Sequence, residues 1–394
     1  MEKIKSYKGF DKNLSCRGFQ YEVGKTYEMP EEDVEVCEIG FHACESPLDV
    51  LDYYFLDDDC EIARFCEVEQ SGKIDKKEDG STKIASSRIE IKAELKFADL
   101  LRLGIEWIKD SVTKVGKGEE KLNNDSRFAQ IGSSGYSAKI GSSGYFAQIG
   151  SSGYSAKIGS SGYSAQIGSS GYSAKIGSSG DCAKIGSSGD CARIGSSGYS
   201  AKIGSSGDCA KIGSSGDSAQ IGSSGDFARI GSSGDFARIG SSGDCARIGS
   251  SGDSAQIGSS GDSAQIGSSG GYAQIGSSGG YAKIGSSGDC AKIGSSGGFA
   301  KIGSSGDYAQ IGSSGDCAQI NSSGEDSVIC CAGHRGKVKA KKGSWVTLSE
   351  WKYDNDKDRY IPLKVVTFQI DGEEYKEGRW YTLRGGEVID VTEG

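Results

Sequence analysis

The sequence predicts a mainly β fold. It reads as a nonapeptide-repeat parallel β-solenoid of about two nonamers per coil, with an N-terminal α+β domain and a C-terminal β cap. Three observations carry this. From Ile131 to Ile320 an isoleucine stands at every ninth position, 22 in all. Around each, the unit reads Tyr or Asp, a variable residue, Ala, Lys/Gln/Arg, Ile, Gly, Ser, Ser, Gly. Glycine supplies 63 of 394 residues, yet there is no collagen-like period of three, and a flexible Gly/Ser linker has no use for isoleucine at fixed spacing. The predicted organisation is an N-terminal domain over 1–120, the solenoid over 121–325, and an irregular coil with its cap over 326–394.

The N-terminal domain comes first. "GFQYEVGKTYEM" predicts two short strands around Gly24. "SPLDVLDYYFL" predicts a helix, with Ser46 as N-cap, Pro47 in the first turn, and Leu48, Val50, Leu51, Tyr54 and Phe55 as its apolar set. "CEIARFCEVE" and "SRIEIKAEL" read as strands. "KFADLLRLGIEWIKD" reads as a second helix, with Phe97, Leu100, Leu101, Gly104, Ile105 and Ile108 on one side. "VGKGEEKLNNDS" reads as a polar hinge.

In the repeat, Asp244 to Gly252 serves as the model unit. Cys245–Ile248 is the expected strand, with Ala246 and Ile248 facing in and Cys245 and Arg247 facing out, because a narrow core has no place for an unpaired guanidinium. Gly-Ser-Ser-Gly is then expected to turn the chain. A single unit buries too little to fold, so stacked units share a seam of Ile on Ile and Ala on Ala. A coil of 18 residues is favoured by the alternation of Gln130, Lys139, Gln148, Lys157, Gln166 and Lys175, and of Phe128, Ser137, Phe146 and Ser155. A three-sided coil of 27 residues is the alternative. At the usual strand spacing, about 11 two-sided coils make a rod of roughly 50 Å.

Other uses of a nonapeptide fit poorly. A calcium-binding repeat is excluded by Tyr136, Tyr145, Tyr154, Tyr163, Tyr172 and Tyr199 in the column where Asp otherwise stands. An ice-binding face is excluded by outward Lys, Gln, Arg and aromatic side chains. Cys182, Cys191, Cys209, Cys245, Cys290 and Cys317 share one column with serine, which reads as tolerance for small side chains and reduced thiols. The protein-binding candidates are the outward aromatic and guanidinium groups: Phe227, Arg229, Phe236, Arg238 and Arg247, then Tyr272, Tyr281, Phe299 and Tyr308. On a two-sided coil Phe227 and Phe236 fall on opposite walls.

Bare solenoid ends expose strand edges. The N-terminal domain is expected to cover one, and a β cap over 321–394 the other, with Asp371-Gly372 as a hairpin turn. Lys337, Lys339, Lys341 and Lys342 read as solvated cap surface, with anion or nucleic-acid contact as the alternative.

The net charge is −9, and residues 1–120 hold 28 acidic against 18 basic side chains. The repeat block is nearly neutral, with 12 Asp against 13 Lys/Arg over 131–320. A general nucleic-acid binder should be basic, so nucleic acid is not an expected partner. No stretch approaches the length of a membrane span, and "MEKIKSYKGF" carries no secretion signal, so a cytoplasmic protein is expected.

Cys37, His42 and Cys44, with Cys16, are the metal candidates, but Cys-x4-His-x-Cys is no standard zinc spacing. Buried thiols in a packed turn are the expected reading, and no cofactor is expected. A Cys44–His42 nucleophile pair is the catalytic alternative.

Tyr7-Lys8-Gly9-Phe10, Cys16-Arg17-Gly18-Phe19-Gln20-Tyr21, Gly40-Phe41-His42-Ala43-Cys44 and Pro47-Leu48-Asp49-Val50-Leu51 resemble an uncharacterised domain common in bacteriophage and prophage proteins, over residues 4–110. "ICCAGHRGKVKAKKGSWVTLSEW" is similar to sequence that closes the repeat tract in such proteins. The resemblance implies a phage or prophage gene expressed in a bacterial cell, and it supplies no catalytic residue.

The expectation is a non-enzymatic protein whose rigid scaffold presents surfaces to a protein partner or to a second copy of itself. The alternatives are an inhibitor of a host protein, with the acidic N-terminal domain mimicking nucleic acid, and an enzyme within residues 1–120.

Overall fold

A computed structural model describes residues 3–54, 63–76, 82–97, 99–101, 103–104, 107 and 121–392. They divide into two compact units, Met1–Ala219 and Gln220–Gly394.

The first unit opens with seven strands: β1 (Ile4–Phe10), β2 (Ser15–Cys16), β3 (Phe19–Gln20), β4 (Thr26–Glu28), β5 (Phe41–Cys44), β6 (Arg64–Lys76) and β7 (Lys83–Leu95). Antiparallel pairing runs β5–β1–β6–β7 and returns from β7 to β5, so the sheet closes on itself. The short strands around Gly24 form but do not pair with each other: β3 pairs with β2, and β4 with β7. Phe10, Ala43, Cys66, Val68, Ile89 and Ile91 fill one core. A second core joins Tyr7, Cys44 and Phe65 to Leu48, Leu51, Leu100 and Leu101.

The expected first helix is a 3-10 helix, Pro47–Asp52. Ser46 stands at its N-cap but makes no side-chain capping bond. Phe55 lies outside the described residues, as do Ile105 and Ile108 of the second helix, which is helical at Phe97, 99–101, 103–104 and Trp107.

The repeats wind in two-sided coils of 18 residues. Lys139–Ser142 pairs in parallel with Lys157–Ser160, and Gln148–Ser151 with Gln166–Ser169, so alternate nonamers build two separate ladders. In the first unit sheet I holds strands beginning at Lys121, Lys139, Lys157, Lys175, Arg193 and Lys211. Sheet II holds those beginning at Gln130, Gln148, Gln166, Lys184 and Lys202. The hinge expected over 115–126 is therefore corrected in part: Lys121–Asn123 is a strand on Lys139–Gly141, and 115–120 lie outside the described residues.

Alanine and isoleucine face inward. The repeat alanines are at most 1% exposed and the isoleucines at most 9%. Each isoleucine so buried contributes ~1.5–3 kcal/mol.

The position of the strand is a correction. It covers Arg247–Ser250 rather than Cys245–Ile248, and Gly-Asp-Ser-Ala, not Gly-Ser-Ser-Gly, makes the turn, closed by the Ala255 N–H donating to the Gly252 carbonyl. Glycine and serine are poor strand formers alone, but here an identical strand in the next coil supplies every ladder partner. The glycine that opens the turn is needed for another reason. A Cβ on Gly180 would stand 1.8 Å from the Gly162 carbonyl oxygen of the preceding coil.

In the second unit the ladders continue past the loss of the repeat, with Val328–Cys331 stacking on Gln310–Ser313 and Lys337–Lys339 on Gln319–Asn321. Both then end on antiparallel strands. Arg359–Gln369 folds back on Trp345–Asp354, and Trp380–Arg384 lies against Lys337–Lys339 and pairs with Glu387–Asp390. Asp371-Gly372 does form a turn, with Gly372 at φ 86°. It is not a hairpin turn, because the strands on either side of it pair elsewhere. Glu350 ties the two hairpins together, accepting the N–H groups of Gly385 and Gly386 at 2.7 Å each.

Candidate functional site

Each repeat strand turns its Lys/Arg/Gln and its Gly outward, and its Ile and following Ser inward. Stacking therefore gives each sheet a flat outer face: a row of glycines beside a row of cationic or amide side chains. On sheet I this face is covered. Leu48 and Leu101 lie over Gly177, and Leu101 and Phe97 lie over Gly195, where a Cβ would meet them at 3.0 and 3.1 Å. Asp49 stands between two lysines of neighbouring coils, with Lys157 Nζ donating to Oδ2 and Lys175 Nζ to Oδ1 at 3.0 Å each. The Thr82 hydroxyl also donates to Asp49, at 2.6 Å. Burial pushes the Asp49 carboxyl up, but Lys175, Lys157 and Thr82 outweigh it and hold it at about 2. Lys139 and Lys157 also lie over the Trp107 ring at 5.8 and 5.9 Å.

The N-terminal domain thus packs on the outer face of sheet I. The expectation that it covers an end is corrected. The glycine row gives its apolar ridge a seat without steric cost, and the lysines give its carboxylate a charged partner. On sheet II the same face is open among the described residues, with none of them within 4 Å of a Cβ built at Gly150, Gly168, Gly186 or Gly204.

Beside the turns of the first unit, aromatic rings stack from coil to coil. Tyr136, Tyr154 and Tyr172 form one ladder at 5.1 and 5.2 Å, and Tyr145 and Tyr163 stack at 5.0 Å on the other edge.

A second feature is a cavity of about 600 Å³ inside the N-terminal domain, lined by Lys8, Cys16, Arg17, His42, Cys44 and Lys83 among others. Three of the four metal candidates, Cys16, His42 and Cys44, are thus brought to one cavity, while Cys37 is exposed. Among the described residues no three His, Cys, Asp or Glu side chains are grouped to hold a metal ion. His42 Nε2 accepts the Cys37 N–H at 2.9 Å, and Cys16 Sγ accepts the Tyr54 hydroxyl at 3.1 Å. Burial, then Lys83, Lys8 and Arg17, push His42 down to about 4, so the imidazole is neutral at physiological pH.

The outward candidates of the second unit divide between its two ladders. Arg229 and Arg247 are register neighbours on one, with Phe227 beside them, while Phe236 and Arg238 belong to the other. Tyr281 and Phe299 stack at 5.3 Å. Tyr272 and Tyr308 lie on the opposite edge, two coils apart with Cys290 between them. All the aromatic members are exposed.

The fold and this face define a β-solenoid scaffold carrying a small α+β domain on one of its sheets. A family model described as a domain of unknown function (DUF7666) matches residues 4–103, which contain the cavity lining and Asp49. None of the curated proteins and none of the solved structures matches the chain.

Sequence reasoning missed Lys8, Asp49, Lys157 and Lys175. The signal for the lysines was present, because the alternation of Gln130, Lys139, Gln148, Lys157, Gln166 and Lys175 places lysines on sheet I and glutamines on sheet II.

Proposed function

We propose that this is a non-enzymatic protein whose β-solenoid scaffold binds a protein partner, another protein or a second copy of the chain, on its open outer face. One observation carries the reading. The chain's own Leu48, Leu101 and Asp49 show how a face of glycines and lysines is recognised, and among the described residues none covers the equivalent face of sheet II. The expected partner presents an apolar ridge flanked by a carboxylate, which would sit over Gly168 and Gly186 and reach Lys184. Phe227, Arg229, Phe236, Arg238, Arg247, Tyr272, Tyr281, Phe299 and Tyr308, divided between the two ladders of the second unit, are proposed as protein contacts of that unit by itself.

The resemblance of residues 4–110 to bacteriophage and prophage domains supports a phage-type gene product acting in a bacterial cytoplasm. Regulation of a host protein by capture fits the same surface.

The test is affinity capture from bacterial lysate, with size-exclusion chromatography of the pure chain. A partner or dimer held by the wild type and lost on Gly168→Trp and Gly186→Trp is the expected result. Capture or dimerisation unchanged by those substitutions, or a monomer that captures nothing, contradicts the reading.

A further inference from the structure

The cavity in the N-terminal domain supports an inference independent of the docking face. Lys8 lies on β1 and is only 6% exposed. Its Nζ donates to the His42 carbonyl at 2.9 Å and lies 5.6 and 5.5 Å from the ring centroids of Phe10 and Tyr21. Among the described residues no carboxylate pairs with it. The titratable groups around it are Tyr7 on its own strand, Cys16 of β2, Arg17 after it, Tyr21, His42 and Cys44 of β5, and Tyr54 beyond the 3-10 helix. Among the described residues, Lys8, Arg17, Lys83 of β7 and the Glu38 carboxylate make up the charged lining of the cavity. A buried ammonium without a counter-charge is costly, and an anion entering the site supplies it.

The remaining lining suits a ring. Phe19 and Tyr53 are about half exposed at the cavity, and Tyr54 joins them. The volume lies within the ~300–1,000 Å³ of small-molecule sites.

We propose that this cavity binds a small aromatic molecule carrying one anionic group, of nucleoside-monophosphate size. Its anion meets Lys8 with Arg17, and its ring lies among Phe19, Tyr53 and Tyr54. Burial lowers the pKa of Lys8, with Cys16 and Cys44 opposing, and a bound anion favours the charged amine.

The experiment is calorimetric titration of the full chain with AMP and, separately, 2-naphthoate. Adenosine, naphthalene and inorganic phosphate supply the ring or the anion alone. At least one aromatic anion binds about tenfold or more tighter than its separate parts. Lys8→Met weakens binding about tenfold or more. Arg17→Ala, at an exposed position clear of the core, also weakens it and guards against a folding defect in the Lys8 variant. Binding of neither anion, phosphate alone binding as tightly, or binding unchanged in both variants overturns the proposal.

Discussion

Asp49 and Lys157 lie 108 residues apart in the sequence and 3.0 Å apart in space. Lys175 completes the contact from the next coil of sheet I. With the Asp49 carboxyl held at about 2, below the ordinary ~3.9, folding favours its charged form. The stability it contributes is complete above the ordinary value and is lost as pH falls through about 2. Asp49→Asn is expected to ease local opening of Pro47–Asp52 by roughly 2 kcal/mol at neutral pH. Amide hydrogen exchange of that segment checks it, with the difference between variant and wild type fading as pH falls from about 4 to 2.

Glycine in the outward column has a different meaning on the two sheets. Gly195→Val meets Leu101 and Phe97 and is expected to cost ~1–3 kcal/mol by overpacking. Gly204→Val stands on the open face of sheet II, where a β-branched side chain is expected to be neutral or favourable. Thermal melting and limited proteolysis of the two variants check the contrast.

The second glycine of the unit is a steric requirement of coil stacking. At Gly180 an added methyl has no room against the Gly162 carbonyl, and Gly180→Ala is expected to cost ~3 kcal/mol or more. At Gly186, with open space around it, the same change is expected to be harmless. Equilibrium unfolding separates them.

Replacing Cys182, Cys191, Cys209, Cys245, Cys290 and Cys317 by serine is expected to leave stability within about ±0.5 kcal/mol for each. All six are free thiols at the turn, and serine holds the same place in neighbouring units. A cumulative loss of melting temperature would show that the thiols pack or bond.

The solenoid was legible because its cause is local and repeated. An isoleucine every ninth residue with alanine two before it fixes an inward stripe, and the period-18 alternation distinguishes two sides from three. The strand's position within the unit was obscured because Gly-Ser-Ser-Gly carries turn propensity, while its pairing comes from the neighbouring coil. The docking contact was hidden for a different reason. Asp49 reads as one helix residue among many, and only the folded chain brings it to lysines more than a hundred residues away. Lys8 was equally unmarked, since nothing beside it in sequence announces burial without a carboxylate partner.

The central claim is that one outer face of the scaffold is a docking track already used by the chain itself, and that the other is open. Lysine acylation followed by mass spectrometry tests it most directly. The side chains of Lys157 and Lys175 are 17% and 15% exposed, whereas Lys184 and Lys202 stand exposed on sheet II. Slow labelling of the first pair, fast labelling of the second, and acceleration of the first pair alone by Asp49→Asn is the predicted result. Equal labelling of all four lysines in the wild type would contradict the account.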